Sequence, residues 1–119
     1  MVKVVLTAVV AVFVAGAAQA ADFASERAAC LLLVRSPLLS LPVGDMQQQV
    51  SLRLDRSVEV ARASQSVYST SPRFLWASET KVACGMAVGF FGGGEVNEEM
   101  VSKCDCFYGR MLAYTNALR

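Results

Sequence analysis

The sequence predicts an all-α protein, a small disulfide-stapled bundle of about four helices that follows a signal peptide. Three observations predict it: four segments with helical cap residues and helical apolar spacing, four cysteines, and an apolar N-terminus that ends in small residues. The 119 residues suffice for one small domain. We therefore expect a signal peptide over residues 1–20 and a single domain over residues 21–119.

The N-terminal segment has the composition of a secretory signal peptide. Lys3 precedes an apolar run over residues 4–15, and Ala18 and Ala20 form the A-x-A pattern that a signal peptidase recognises. As a helix, residues 4–18 would span about 22 Å, less than the roughly 30 Å of a bilayer core. We expect cleavage after Ala20 and a secreted or periplasmic protein. The alternative is an uncleaved membrane anchor, and we expect contact with a membrane only in that case.

The composition excludes several classes of function. The chain contains no histidine, which excludes histidine-dependent triads and His-ligated metal centres. Its formal net charge of +1 is too small for a protein that neutralises many phosphates, so we expect no nucleic-acid partner.

The first predicted helix covers residues 22–35, with Asp22 or Ser25 as the N-cap and the Ser36-Pro37 pair as the stop. Residues 36–44 contain two prolines and a glycine and predict an irregular connector. We expect its leucines to pack beneath the next helix; if exposed, they would form a contact patch.

The second predicted helix begins at Asp45, and Gln48 completes a capping-box pattern. Its apolar stripe consists of Met46, Val50, Leu54, Val58 and Ala61. Acidic residues alternate with its three arginines, which favours a solvated mixed-charge face over an anion-binding face; the arginines are Arg53, Arg56 and Arg62.

The third and fourth predicted helices form an antiparallel hairpin. Ser71 caps the third, Pro72 occupies its first position, and a glycine triplet over residues 92–94 ends it. Asn97 caps the fourth, which is predicted to end at Arg119. Acidic residues in its first turn suit the helix dipole, and Glu99 is spaced to pair with Lys103.

The hairpin ranks the disulfide pairings. Cys84 lies ten residues before Gly94 and Cys104 ten residues after it, so both should lie at one height on neighbouring helices. Cys106 is rotated about 200° from Cys104 and is left to pair with Cys30. The first-ranked pairing is Cys84–Cys104 with Cys30–Cys106, and the second is Cys84–Cys106 with Cys30–Cys104. A Cys104–Cys106 bridge ranks last. We expect the loss of both disulfides together to unfold the domain.

Other motifs have weaker readings. Ser78 and Lys81 match the S-x-x-K pattern of penicillin-recognising enzymes, but the S-D-N and K-T-G partner motifs are absent from the sequence. We expect Gly85 and Gly89 to let the fourth helix pack closely beside Cys84. Aromatic residues on the hairpin favour core packing over an apolar ligand cavity; they are Phe74, Trp76, Phe107, Tyr108 and Tyr114.

We therefore expect a small exported, non-enzymatic binding or accessory protein whose partner is a protein or a small apolar ligand. We predict no catalytic residue, no metal site and no cofactor. The candidate contact residues lie in the connector and at the hairpin tip: Leu38, Leu39, Leu41, Phe90 and Phe91. One alternative is a thiol-redox or copper-handling protein that uses Cys104 and Cys106 together with methionine thioethers. The other is a membrane-anchored accessory subunit with an uncleaved N-terminal helix.

Overall fold

The computed structural model of the chain describes residues 23–31, 35–65 and 71–116. The chain divides into two compact units, Met1–Leu31 and Leu32–Arg119. In the first unit, residues 23–31 form helix α1. The second contains a 3₁₀ helix (Pro37–Ser40) followed by α2 (Val43–Gln65), α3 (Pro72–Gly92) and α4 (Glu98–Asn116). The predicted all-α class with four helices is confirmed. The predicted signal peptide, Asp22 and Arg119 lie outside the described residues.

The connector between α1 and α2 differs from its prediction. It forms a 3₁₀ helix rather than an irregular segment, because the Ser36 hydroxyl accepts from the backbone N–H of Leu38 and Pro37 occupies the first turn. Ser36 is itself extended, as a residue before proline prefers, and Arg35 is not helical, so the helix predicted to reach residue 35 ends earlier. Leu38 is buried and Leu39 half-buried, whereas Leu41 is exposed. The expected burial of the leucines is therefore wrong for Leu41.

Helix α2 begins two residues before the predicted Asp45 cap. The backbone N–H of Met46 donates to the carbonyl of Pro42 at 2.9 Å, which makes Pro42 the capping residue and Val43 the first helical residue. Asp45 instead lies in the first turn, where its charge favours the helix dipole. The predicted capping box of Asp45 with Gln48 is wrong, because the helix already begins at Val43, directly after the Pro42 cap.

The predicted beginnings of both hairpin helices and the predicted end of α3 are confirmed, whereas the predicted end of α4 at Arg119 lies outside the described residues. Ser71 caps α3 by accepting from the backbone N–H of Phe74 at 3.2 Å, and Asn97 caps α4 by accepting from that of Met100 at 3.0 Å. Between the helices the chain turns through Gly94, whose φ of 80° lies in the left-handed region that glycine adopts without strain. The predicted ion pair between Glu99 and Lys103 is present.

Helix α3 lies at the centre of the second unit and packs extensively against both α2 and α4, whereas α2 and α4 meet over a smaller area. The rings of Trp76 and Phe107 lie 6.0 Å apart between α3 and α4, and both side chains are buried. The buried hydroxyl of Thr80 donates to the carbonyl of Trp76 in its own helix, so it adds no unsatisfied polar atom to the core. Further fully buried side chains include Val50, Cys84, Val101, Cys104 and Met111.

The rotation of α2 and α3 departs from the prediction in two places. On α2, Met46, Val50 and Ala61 are buried, but Ser57 and Val60 also face the core while Leu54 and Val58 are only half-buried. On α3, Gly85 faces α2 rather than α4, since a Cβ built on it would lie 3.9 Å from Leu54, and Gly89 is exposed. The predicted role of these glycines in the packing of α4 is therefore wrong.

Candidate functional site

The cysteines form disulfides in the structure. Cys84 on α3 and Cys104 on α4 are bonded, with their Cα atoms 4.6 Å apart, as the first-ranked pairing predicts. Cys30 and Cys106 are also disulfide-bonded, and the first-ranked pairing predicts that both residues are oxidised. No described cysteine is a free thiol. Two disulfides indicate that the protein folds in an oxidising environment.

A polar network surrounds Asp105, the residue between Cys104 and Cys106. Its carboxylate accepts from the Ser36 hydroxyl at 2.6 Å and from Nε of Arg53 at 3.2 Å. The Ser102 hydroxyl accepts from the backbone N–H of Ser36 at 3.2 Å, and the Arg53 guanidinium lies 4.9 Å from the ring centre of Tyr108. The network therefore holds both the connector and α2 on α4, and we interpret it as a structural element.

The predicted contact residues lie at one end of the second unit. The connector that carries Leu38, Leu39 and Leu41 packs on α4 and α2, and Arg35 just before it pairs with Glu98 at the start of α4. Phe90 and Phe91 are half-buried in the last turn of α3, directly before the turn into α4. Of the five predicted contact residues, only Leu41 is exposed and Leu38 is buried.

A groove lies between α2 and α3, towards the end of α2 and the beginning of α3. It has a volume of about 360 Å³ and is partly open to solvent. The two helices run antiparallel here, so consecutive turns of each contribute to it. Its lining residues are Val58, Ala61 and Arg62 from α2 and Phe74, Ser78 and Lys81 from α3.

The groove combines three apolar side chains with two cationic side chains and a serine hydroxyl. Val58 and Phe74 are half-buried and Ala61 is buried, whereas Arg62 and Lys81 are exposed. Among the residues that the structure describes, no acidic side chain lines the groove. Within the described ranges, neither Arg62 nor Lys81 forms a salt bridge. The arrangement can accept an apolar group along its floor and a negative charge at its edge.

The three arginines of α2 have different environments. Arg53 binds Asp105 in the network, with the two side chains 17% and 26% exposed, and Arg56 pairs with Glu59 at 3.2 Å. Arg62 has no acidic partner among the described residues. The sequence predicts a solvated mixed-charge face, and among these three arginines Arg56 has the surface ion pair with a neighbouring acid that such a face contains. The alternation of charges in the sequence does not separate these cases, because Glu59 is within one helical turn of both Arg56 and Arg62.

Ser78 and Lys81 both line the groove, so the structure brings the S-x-x-K pair to one site. Lys81 is exposed and Ser78 is half-buried. An exposed ammonium beside a hydroxyl is suited to binding an anion, because both groups donate hydrogen bonds. The sequence offers one signal of this role: no acidic residue lies three or four positions from Lys81.

The groups proposed for a soft-metal site lie at different depths. Met111 is fully buried and Met86 is exposed, and the sulfur atoms of Cys104 and Cys106 are engaged in disulfides. Among the residues placed by the structure, no three His, Cys, Asp or Glu side chains are grouped to hold a metal ion.

Across the same parts of the chain, no helix has both the length and the apolar composition needed to cross a bilayer. Comparison of the whole sequence with protein-family models, with curated proteins and with solved structures found no match.

Proposed function

We propose that the protein is a small exported, non-enzymatic binding protein whose ligand is a small apolar molecule held between α2 and α3. The observation that carries this proposal is the groove lined by Val58, Ala61 and Phe74. Its volume of about 360 Å³ falls within the range of small-molecule sites, and apolar side chains make up half of its lining residues.

The disulfide-linked scaffold supports the same proposal. Helix α3, which forms one wall of the groove, is joined covalently to α4 by Cys84–Cys104. A wall that is rigid before the ligand arrives loses less conformational entropy on binding. Disulfides also fit an exported protein, and export itself depends on the predicted signal peptide at residues 1–20.

A protein partner is the second candidate, and the outer face of α3 favours it. Val82 and Met86 are 57% and 49% exposed, and Gly89 continues the same face one turn later. Contiguous exposed apolar side chains on a helix are typical of protein contacts. The thiol-redox or copper alternative requires free thiolates and would therefore apply only to a reduced form of Cys104 and Cys106. The membrane-anchored alternative requires residues 1–20 to be retained.

The test is a binding experiment followed residue by residue. The full chain, expressed with its own N-terminal segment into an oxidising compartment and labelled with ¹⁵N, is titrated with octan-1-ol and with sodium octanoate. We expect amide shifts within residues 58–62 and 74–81 for at least one probe. The variant Ser78→Phe fills the groove and should abolish them, while Ser51→Phe on the exposed side of α2 should not. Shifts confined to Val82 and Met86, or no shifts with either probe, would overturn the proposal.

A further inference from the structure

We infer that the ligand is a free medium-chain carboxylic acid, with its carboxylate bound by Arg62 of α2 and Lys81 of α3 and its alkyl chain lying along the groove. This inference rests on the proposed function and specifies the chemistry of its ligand. The juxtaposition of two cations that form no salt bridge within the described residues, one on each wall of a partly apolar groove, carries it.

The charge of the groove selects an anion over a neutral or cationic ligand. Arg62 and Lys81 contribute two positive charges, and the described part of the lining contains no carboxylate to offset them. By contrast, Arg53 and Arg56 on the same helix are each paired with an acid within the protein. A guanidinium presents two parallel N–H donors that match the two oxygens of a carboxylate, and an ammonium adds a second, geometrically less demanding contact. The Ser78 hydroxyl is a further donor on the α3 wall.

The floor of the groove selects an apolar body attached to that anion. Val58, Ala61 and Phe74 offer only carbon atoms from their side chains, so an inorganic anion would leave this surface exposed to water. Each methylene that leaves water for such a surface contributes about 0.8 kcal/mol when its burial is complete. The volume of about 360 Å³ lies near the lower end of the range for ligand sites, which favours a chain of roughly eight carbons over a larger ring system.

The test compares octanoate with octan-1-ol, which share the apolar chain and differ in charge. For a ligand of ten non-hydrogen atoms in a partly open groove, we expect an octanoate dissociation constant on the order of 1 mM. Octan-1-ol should bind about tenfold more weakly, and inorganic phosphate and acetate should cause no shifts in residues 58–62 and 74–81. The readout is the same ¹⁵N-resolved titration of the full, oxidised chain.

Charge variants then assign the carboxylate contact. Arg62→Gln with Lys81→Gln should weaken octanoate binding about tenfold and leave octan-1-ol binding unchanged, because only the charged head loses its partners. When Arg62→Lys replaces Arg62→Gln in the double variant, part of the octanoate affinity should return, because lysine keeps the positive charge but lacks the two parallel N–H donors of arginine. Arg35→Gln is the control: it removes one positive charge from an exposed site outside the groove, where its partner is Glu98, and should change neither affinity. All these positions are exposed, so each variant should keep the wild-type amide spectrum outside the groove.

The outcomes separate the two levels of the proposal. If octanoate and octan-1-ol bind the groove equally and the double variant changes neither, the carboxylate inference is overturned while the proposed function stands. If neither probe binds the groove, the proposed function fails and the inference falls with it. If inorganic phosphate alone binds as tightly as octanoate, the apolar chain contributes nothing and the inference is also overturned.

Discussion

Replacing the Cys84–Cys104 disulfide by Cys84→Val with Cys104→Ala is expected to destabilise the protein by about 3 kcal/mol. The two sulfur atoms lie in a fully buried position, and the valine methyl groups occupy a similar volume, so the loss of packing is kept small. The remaining effect acts on the unfolded chain. For a sequence separation of 20 residues, loop-closure entropy is about 11 cal/mol/K, or about 3.3 kcal/mol at 298 K.

Urea denaturation under non-reducing conditions measures this effect, with unmodified protein as the reference and a thiol assay to verify that Cys30 and Cys106 stay oxidised. We expect a lower midpoint and a larger m-value, because an unfolded chain without the crosslink exposes more surface. The melting temperature should fall by roughly 12–25 °C, given about 4–8 °C per kcal/mol for a domain of this size. A loss below about 1 kcal/mol with an unchanged m-value would refute the reasoning, since it would show that the crosslink scarcely restricts the unfolded chain.

Two further predictions concern the hairpin and the network. Asp105→Ala should cost about 2 kcal/mol of unfolding free energy, because the half-buried guanidinium of Arg53 and the Ser36 hydroxyl both lose their acceptor. Gly94→Ala should lower the free energy of unfolding by about 1 kcal/mol, because a φ of 80° strains an L-residue. Gly89→Ala should raise the free energy of unfolding by about 0.5–1 kcal/mol, because Gly89 is helical and a Cβ there meets no atom within 4 Å. Urea denaturation of each variant provides the measurement.

Each of these predictions has its own control. Asp55→Ala removes an exposed acid from α2 and should change stability by less than about 0.5 kcal/mol. An Asp105→Ala effect no larger than that of Asp55→Ala would contradict the role given to the network. For the glycines, the sign carries the information: equal effects at Gly94 and Gly89 would mean that backbone conformation does not decide either one.

The parts of the fold that depend on local chemistry were predictable from the sequence. Ser71 with Pro72, and Asn97 with the glycines before it, each specify a helix end within a few residues, and the structure confirms both. The Cys84–Cys104 pairing followed from counting outwards from the turn, because two antiparallel helices have the same rise per residue. The predicted start of α2 was wrong because Pro42 and Asp45 are both possible capping residues, and the helix is capped by Pro42.

The candidate groove and the network were not predictable, because their residues are distant in the sequence. Asp105 binds partners 52 and 69 residues away, and no periodicity within α4 indicates them. Arg62 and Lys81 belong to different helices, and only the rotation of those helices places both beside one groove. Gly85 faces α2 for the same reason. The residue pattern of a single helix does not indicate how that helix is rotated about its axis relative to its neighbours.

The turn through Gly94 lies inside the covalent ring that Cys84 and Cys104 close. A peptide bond broken in that turn would leave two fragments that cannot diffuse apart, and the cut ends would remain beside each other while the bridge persists. The hairpin tip is therefore well suited to accept an inserted peptide or an epitope, because it lies at the opposite end of α3 from the groove.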